Sequence, residues 1–163
     1  CKYEEKGHKI DMGRHEQREQ VFSLLFRTEF HPAQDMPVQE KLFFEYKFDD
    51  EKDPKIPEKD KEYIAEKYEK VAAKLPEIDA MLNEKAEGWN TGRMGKVELT
   101  LLRLGIYEIL FDETVPAGVA INEAVELAKK YGQETSGGFV NAILAKFVKA
   151  KQDAKEDETK KAE

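Results

Sequence analysis

The stretch MGKVELTLLRLGIYEILF, residues 94–111, constrains the fold more than any other part of the chain. On a helix advancing about 100° per residue, Val97, Leu101, Leu104 and Phe111 fall roughly on one side. Leu99, Leu102, Ile106, Ile109 and Leu110 carry the apolar surface around most of the remainder. A helix that is apolar nearly all round has to be enclosed by neighbours. No apolar run in the chain, this one included, is long enough to span a membrane, so the helix reads as central and buried in the protein. Gly105 costs about 1 kcal/mol against Ala in a helix interior, so its presence here reads as a close helix crossing.

The enclosing elements are also helical. No stretch sustains the alternation of a half-buried strand. A first helix spans roughly Arg14–Phe30, with Val21, Leu24, Leu25 and Thr28 on one stripe and Phe22, Phe26 and Phe30 on an adjacent one. That wide apolar arc predicts contact with more than one neighbour and suits self-association into a homodimer. A second helix runs from about Met36 to Phe48, with Asp35 as N-cap and Val38, Leu42 and Tyr46 inward. A charged loop with two prolines follows. A third helix starts near Pro57 or Glu58 and carries Ile64, Tyr68, Val71 and Leu75. Pro76 opens a fourth, with Ile78, Met81, Leu82 and Ala86, and Gly88 stops it. A sixth covers about Val119–Tyr131 with Gly132 as C-cap, and a seventh about Ser136–Lys149. The expectation is an all-α fold of about seven helices in two packed helical halves, 12–75 and 76–150, divided at Pro76 or within Gly88–Gly95. Residues 1–11 read as a flexible extension ahead of Met12. Residues 151–163, with mixed charge and no apolar face, read as a disordered tail.

Function classes narrow next. Lys and Arg total 27 against 34 Asp and Glu, a formal net charge of −7. That argues against broad coating of nucleic acid, which needs many positive charges to release counterions, but it allows a local basic patch. The single cysteine, Cys1, permits no internal disulfide, and a reducing cytoplasm is the simplest home. His8, His15 and His31 do not stand at metal-ligand spacing, so no metal site is expected. There is no phosphate loop, dinucleotide glycine motif or nucleophile motif. The expectation is a protein without catalytic residues or cofactor.

Three segments together resemble the NusB family of bacterial transcription antitermination factors: GRHEQREQVFSLLF at 13–26, KVELTLLRLGIYEIL at 96–110, and VPAGVAINEAVELAKKYG followed by SGGFVNAIL within 115–144. Trp89 and Arg93, ahead of the central helix, also fit. The resemblance covers about Met12–Lys149. It implies seven helices in two halves and binding of boxA-type single-stranded RNA together with the ribosomal protein NusE. It further implies that the pair joins other Nus factors on RNA polymerase. Read without the resemblance, the acidic charge also suits a helical protein–protein adaptor with no direct RNA contact.

The resemblance implies particular residues. Arg14, His15 and Arg18 match a basic cluster ahead of the first helix, thinned here by Glu16, Gln17 and Glu19. Arginine suits phosphate and base-edge contacts; by composition alone the same residues are a solvated first turn. Phe26 and Glu98 match positions at the NusE contact, and Phe22 lies on the same stripe. Glu98 alone would be a helix-start carboxylate favoured by the macrodipole.

The stretch YGQETSGGFVNAIL offers the second RNA segment. Val140, Ile143, Leu144 and Phe147 form the inward stripe of the last helix, with Phe139 at its margin and Asn141 outside it. Thr135 or Ser136 suits the cap. Gly137 and Gly138 leave backbone N–H groups open to a phosphate. From spacing alone, Phe139 suits either the core edge or a ring that stacks on an unpaired base. The resemblance places an RNA-contacting phenylalanine at Phe139.

Overall fold

A computed structural model of the chain describes residues 12–46 and 56–162. The proposed extension 1–11, the end of the second helix at Phe48 and most of the charged loop lie outside them. Among the described residues there are seven α-helices and no strand: α1 (Arg14–Phe26), α2 (Met36–Tyr46), α3 (Glu58–Ala73), α4 (Leu75–Lys85), α5 (Lys96–Phe111), α6 (Ala117–Tyr131) and α7 (Ser136–Ala162). Short 3-10 turns at Arg27–Glu29 and Ala33–Asp35 separate α1 from α2. The chain divides into two compact units at Ala72–Ala73, within the last turn of α3.

In the first unit, Val21, Phe22, Leu24 and Leu25 of α1, Met36 and Phe43 of α2, and Ile64, Tyr68 and Val71 of α3 are buried. The inward face of α2 differs from the sequence reading. Val38 is exposed and Leu42 only half-buried, while Met36 and Phe43 point inward. Both faces of α2 carry apolar residues, so periodicity alone does not choose between them. Asp35 belongs to the 3-10 turn rather than capping α2 from an extended position.

Glu40 of α2 and Glu69 of α3 act on Tyr68 in the same unit. Burial, then Glu40 and Glu69, pushes the Tyr68 hydroxyl up to about 12. Burial and, second, the Glu69 carboxylate raise Glu40 above its ordinary 4.5. A carboxyl raised on folding holds its proton more tightly in the native state. Its contribution is therefore full below pH 4.5 and is lost as pH rises through the folded value. Glu40→Gln should raise the melting temperature at pH 7 and change it little at pH 4. An equal or lower melting temperature at pH 7, by scanning calorimetry, contradicts this.

The second unit is built around α5. From Leu99 to Ile109 every residue except Arg103 is buried. Neighbours α4, α6 and α7 enclose it. Gly105 lies where α7 crosses: a Cβ there would stand 2.8 Å from Leu144 Cδ1. Arg103 leaves the apolar surface to pair with Asp79 of α4, donating from Nε to Oδ1 at 2.9 Å and from the terminal nitrogen to Oδ2 at 2.8 Å. This forked geometry is the stronger kind of charged hydrogen bond.

The last helix is longer than the sequence reading of Ser136–Lys149. α7 continues past Lys149 to Ala162. Nothing in KQDAKEDETKKA breaks a helix: it has no glycine or proline and is rich in Ala, Lys and Glu, which favour the helical state. Lys151 Nζ also donates to the Ile109 carbonyl at 2.6 Å, a cation at the carbonyl end of α5. Absence of an apolar face was a signal about burial, not about helicity.

Candidate functional site

On α1, Arg14, Arg18, Phe22 and Phe26 follow one another at four-residue intervals, so they form one slowly turning row. The row changes character along its length. Arg14 is exposed, with its guanidinium 5.1 Å from the Tyr63 ring centroid. This is cation–π distance. His15 is exposed and Arg18 half-buried, and both have intramolecular partners. Phe22 is only 4% exposed and packs in the core. Its ring packs on Phe26 at 6.0 Å, and Phe26 packs on Phe30 at 5.1 Å. The row therefore passes from buried Phe22 through half-buried Phe26 to Phe30, which is 60% exposed. The end of the ladder, not its start, faces outward.

Glu98 is the third residue of α5, and Gly95 is its N-cap. A Cβ on Gly95 would collide with Glu98 Oε2, so the carboxylate folds back over the cap as the glutamate of a capping box does. Its other oxygen, Oε1, accepts a hydrogen bond from Ser136 Oγ at 2.5 Å. Ser136 Oγ in turn accepts from the Gln133 N–H at 2.8 Å. Glu98 is thus a bridge from the start of α5 to the start of α7, rather than a carboxylate held only by the helix dipole. Glu98→Lys would break this bridge as well as reverse a charge.

The two glycines opening α7 differ. Gly137 is buried, with its Cβ position 3.5 Å from Lys129 Cγ and 3.6 Å from Val125 Cγ1 of α6. It is a packing position against α6. Gly138 is exposed, with nothing within 4 Å of its Cβ position. Asn141, one turn on, is exposed.

Phe139 is half-buried, and its ring meets Trp89 edge to face, with centroids 5.2 Å apart and planes at 68°. Trp89 is 47% exposed. This pairing is the main feature that residue spacing does not show, because the two rings are 50 residues apart in sequence. The available signal was a lone tryptophan in a glycine-bounded loop. The basic row on α1 belongs to the first unit; Glu98, Gly138, Phe139 and Asn141 belong to the second. Among the described residues no cluster of three or more His, Cys, Asp or Glu is arranged to hold a metal, and no helix is long and apolar enough to cross a membrane.

Comparison with known proteins points in one direction. A sequence model of the NusB family matches residues 15–149. The chain is 46% identical over 136 residues to the transcription antitermination protein NusB of Agathobacter rectalis, covering 83% of this chain and 99% of that one. It is also 46% identical over 137 residues to the protein of that name in Lachnoclostridium phytofermentans, covering 84% and 99%. Among solved structures, NusB of T. maritima superposes with a TM-score of 0.74 at 33% identity, over 86% of this chain and 93% of that one. A crystal structure of the antitermination factors NusB and NusE in complex with dsRNA gives a TM-score of 0.71 at 27% identity, over 85% and 99%. The all-α fold, the central buried helix and these matches together show that the chain belongs to the NusB family.

Proposed function

We propose that this chain is an RNA-binding transcription antitermination factor. It takes boxA-type single-stranded RNA together with NusE, and the pair joins other Nus factors on RNA polymerase in the cytoplasm. The work is binding, with no catalytic step. The observation that carries the reading is the half-buried ring of Phe139 at the first turn of α7, beside the open Gly138 and the exposed Asn141. The relative solved with NusE and dsRNA supports NusE as a partner and RNA as the class of nucleic acid.

In this reading Phe139 stacks on an unpaired base, Gly138 and Asn141 leave room for the adjoining backbone, and Arg14, His15 and Arg18 contact phosphates. Phe26, in the middle of the aromatic ladder of the first unit, is one NusE contact, and the charge of Glu98 on the second unit is another. The arginines are few, so RNA affinity depends strongly on the partner.

The test is binding of labelled boxA RNA, followed by anisotropy with and without NusE. Phe139→Ala should weaken binding about tenfold, the scale of one lost base–aromatic stack. It should cost less than about 1.5 kcal/mol of stability, because what the fold loses is an edge-to-face contact at a surface. Wild-type RNA affinity in this variant, coupled to a large drop in melting temperature, would mean that the ring serves the core.

A further inference from the structure

The loop between α4 and α5 is built to hold one large ring in place. Gly88 turns the chain at φ +80°. The Trp89 N–H donates to the Ala86 carbonyl at 2.9 Å. The Thr91 N–H donates to Asn83 Oδ1 at 2.8 Å, and the Arg93 N–H to Asn90 Oδ1 at 3.1 Å. Met94, buried at 5% exposure, pins the far end. A loop so tied has already lost most of its conformational freedom, so a ligand meeting it gives up little more. Yet the residue it presents, Trp89, remains 47% exposed. Arg93, in the same loop, is also exposed.

A tryptophan fixed in a rigid loop and left half in water is costly for stability alone, since burial would gain more. The angle of its contact with Phe139 is informative. Planes at 68° make a corner, not a flat shelf. Two bases stacked in an A-form strand are nearly parallel and cannot lie flat on both faces of such a corner. Two neighbouring bases splayed apart can, one on each ring.

Resting on the RNA-binding reading above, we propose that Trp89 and Phe139 form a two-ring site for an unstacked dinucleotide step of single-stranded RNA, with Arg93 contacting the phosphate beside it. The first ring selects for an unpaired base; the second makes the site read a splayed pair. Aromatic faces and a guanidinium are the groups that recognise single strands. A duplex of the same sequence lacks the exposed base faces and does not engage the corner.

Trp89 is the sole tryptophan of the chain, so its emission reports the site directly. Titration of the full chain with single-stranded boxA RNA in the presence of NusE should change Trp89 emission in step with anisotropy of the labelled RNA. NusE lacking tryptophan serves as the partner. The duplex control should leave emission unchanged. Trp89→Ala should weaken binding about tenfold, while Trp89→Phe, which keeps a ring, stays within about threefold of wild type. Arg93→Ala should flatten the dependence of log affinity on log salt by about one unit of slope. Anisotropy showing RNA binding with unchanged Trp89 emission, and full affinity in Trp89→Ala, overturns the two-ring site alone. Loss of NusE association in Trp89→Ala with RNA affinity intact also overturns it, making Trp89 a protein contact. No RNA binding by the wild-type chain, with or without NusE, overturns both this site and the function on which it rests.

Discussion

Gly132→Ala lowers the melting temperature by about 10 °C, the largest loss expected of any single methyl group added to the second unit. Gly132 ends α6, and the chain turns there into α7. A Cβ would stand 2.7 Å from the Ala128 carbonyl oxygen, 2.6 Å from Ser136 Oγ and 2.7 Å from Ser136 Cβ. The first of these atoms is helix backbone and cannot swing aside. The others belong to the side chain that accepts from Gln133 and donates to Glu98. Relief of the collision therefore costs packing strain and a part-buried hydrogen-bonded bridge together. Overpacking of about 1–3 kcal/mol and disruption of the part-buried bridge, at about 0.5–1.5 kcal/mol, combine to about 3 kcal/mol. Gly118→Ala is the matching control. It lies in the first turns of α6 with nothing within 4 Å of its Cβ position, so the added methyl should leave stability unchanged or raise it by less than about 1 kcal/mol. Similar melting temperatures for the two variants would contradict the close approach of α6 to α7.

Leu144→Ala should destabilise the second unit by about 2–5 kcal/mol, as for other fully buried leucines. The informative experiment adds Gly105→Ala. Alone, the Gly105 methyl enters space occupied by Leu144 Cδ1 and Cδ2, at 2.8 and 3.0 Å. Leu144 has no exposed surface through which to retreat, so the single change costs about 1–3 kcal/mol. In the double variant the new methyl falls into the space the leucine vacated. The double variant should be more stable than the sum of the two losses predicts, by about 1 kcal/mol or more. Chemical denaturation of all four proteins gives the coupling. Strict additivity would show that α5 and α7 do not meet at this pair.

The core was legible where chemistry left no choice. The run from Leu99 to Ile109 could only be buried, and Gly105 within it could only be tolerated at a crossing. Stripes in α3 and α7 were legible for the same reason: Ile64, Tyr68 and Val71, or Val140, Ile143, Leu144 and Phe147, recur on one face of an otherwise charged helix. Ambiguity arose where apolar residues cover two faces. Val38 and Phe43 compete in α2, and Phe22 and Phe26 share a row on α1, yet only one of each pair is buried. Periodicity gives direction around a helix but not depth along it.

The candidate site was legible one strand of sequence at a time. Phe139 stood out as marginal to its stripe, and it is half-buried. What spacing does not encode is which residue arrives from elsewhere. Trp89 reaches Phe139 from the loop before α5, and Ser136 takes up Glu98 across 38 residues. Both pairings follow from how α5 and α7 pack, so they become visible only when those helices are placed. Gly137 and Gly138, adjacent and identical in sequence, receive opposite environments from the same packing.

α7 also has two lifetimes. Its first half carries Val140, Ile143, Leu144 and Phe147 into the core, and amides there exchange with solvent only when the second unit opens. From Gln152 onward every described side chain is exposed. Those amides are protected by the helix alone, which frays from its end on the sub-microsecond to microsecond scale. In deuterated buffer one continuous helix therefore becomes labelled from the end inward. The protected boundary falls near Lys151, where the chain is last tied to α5.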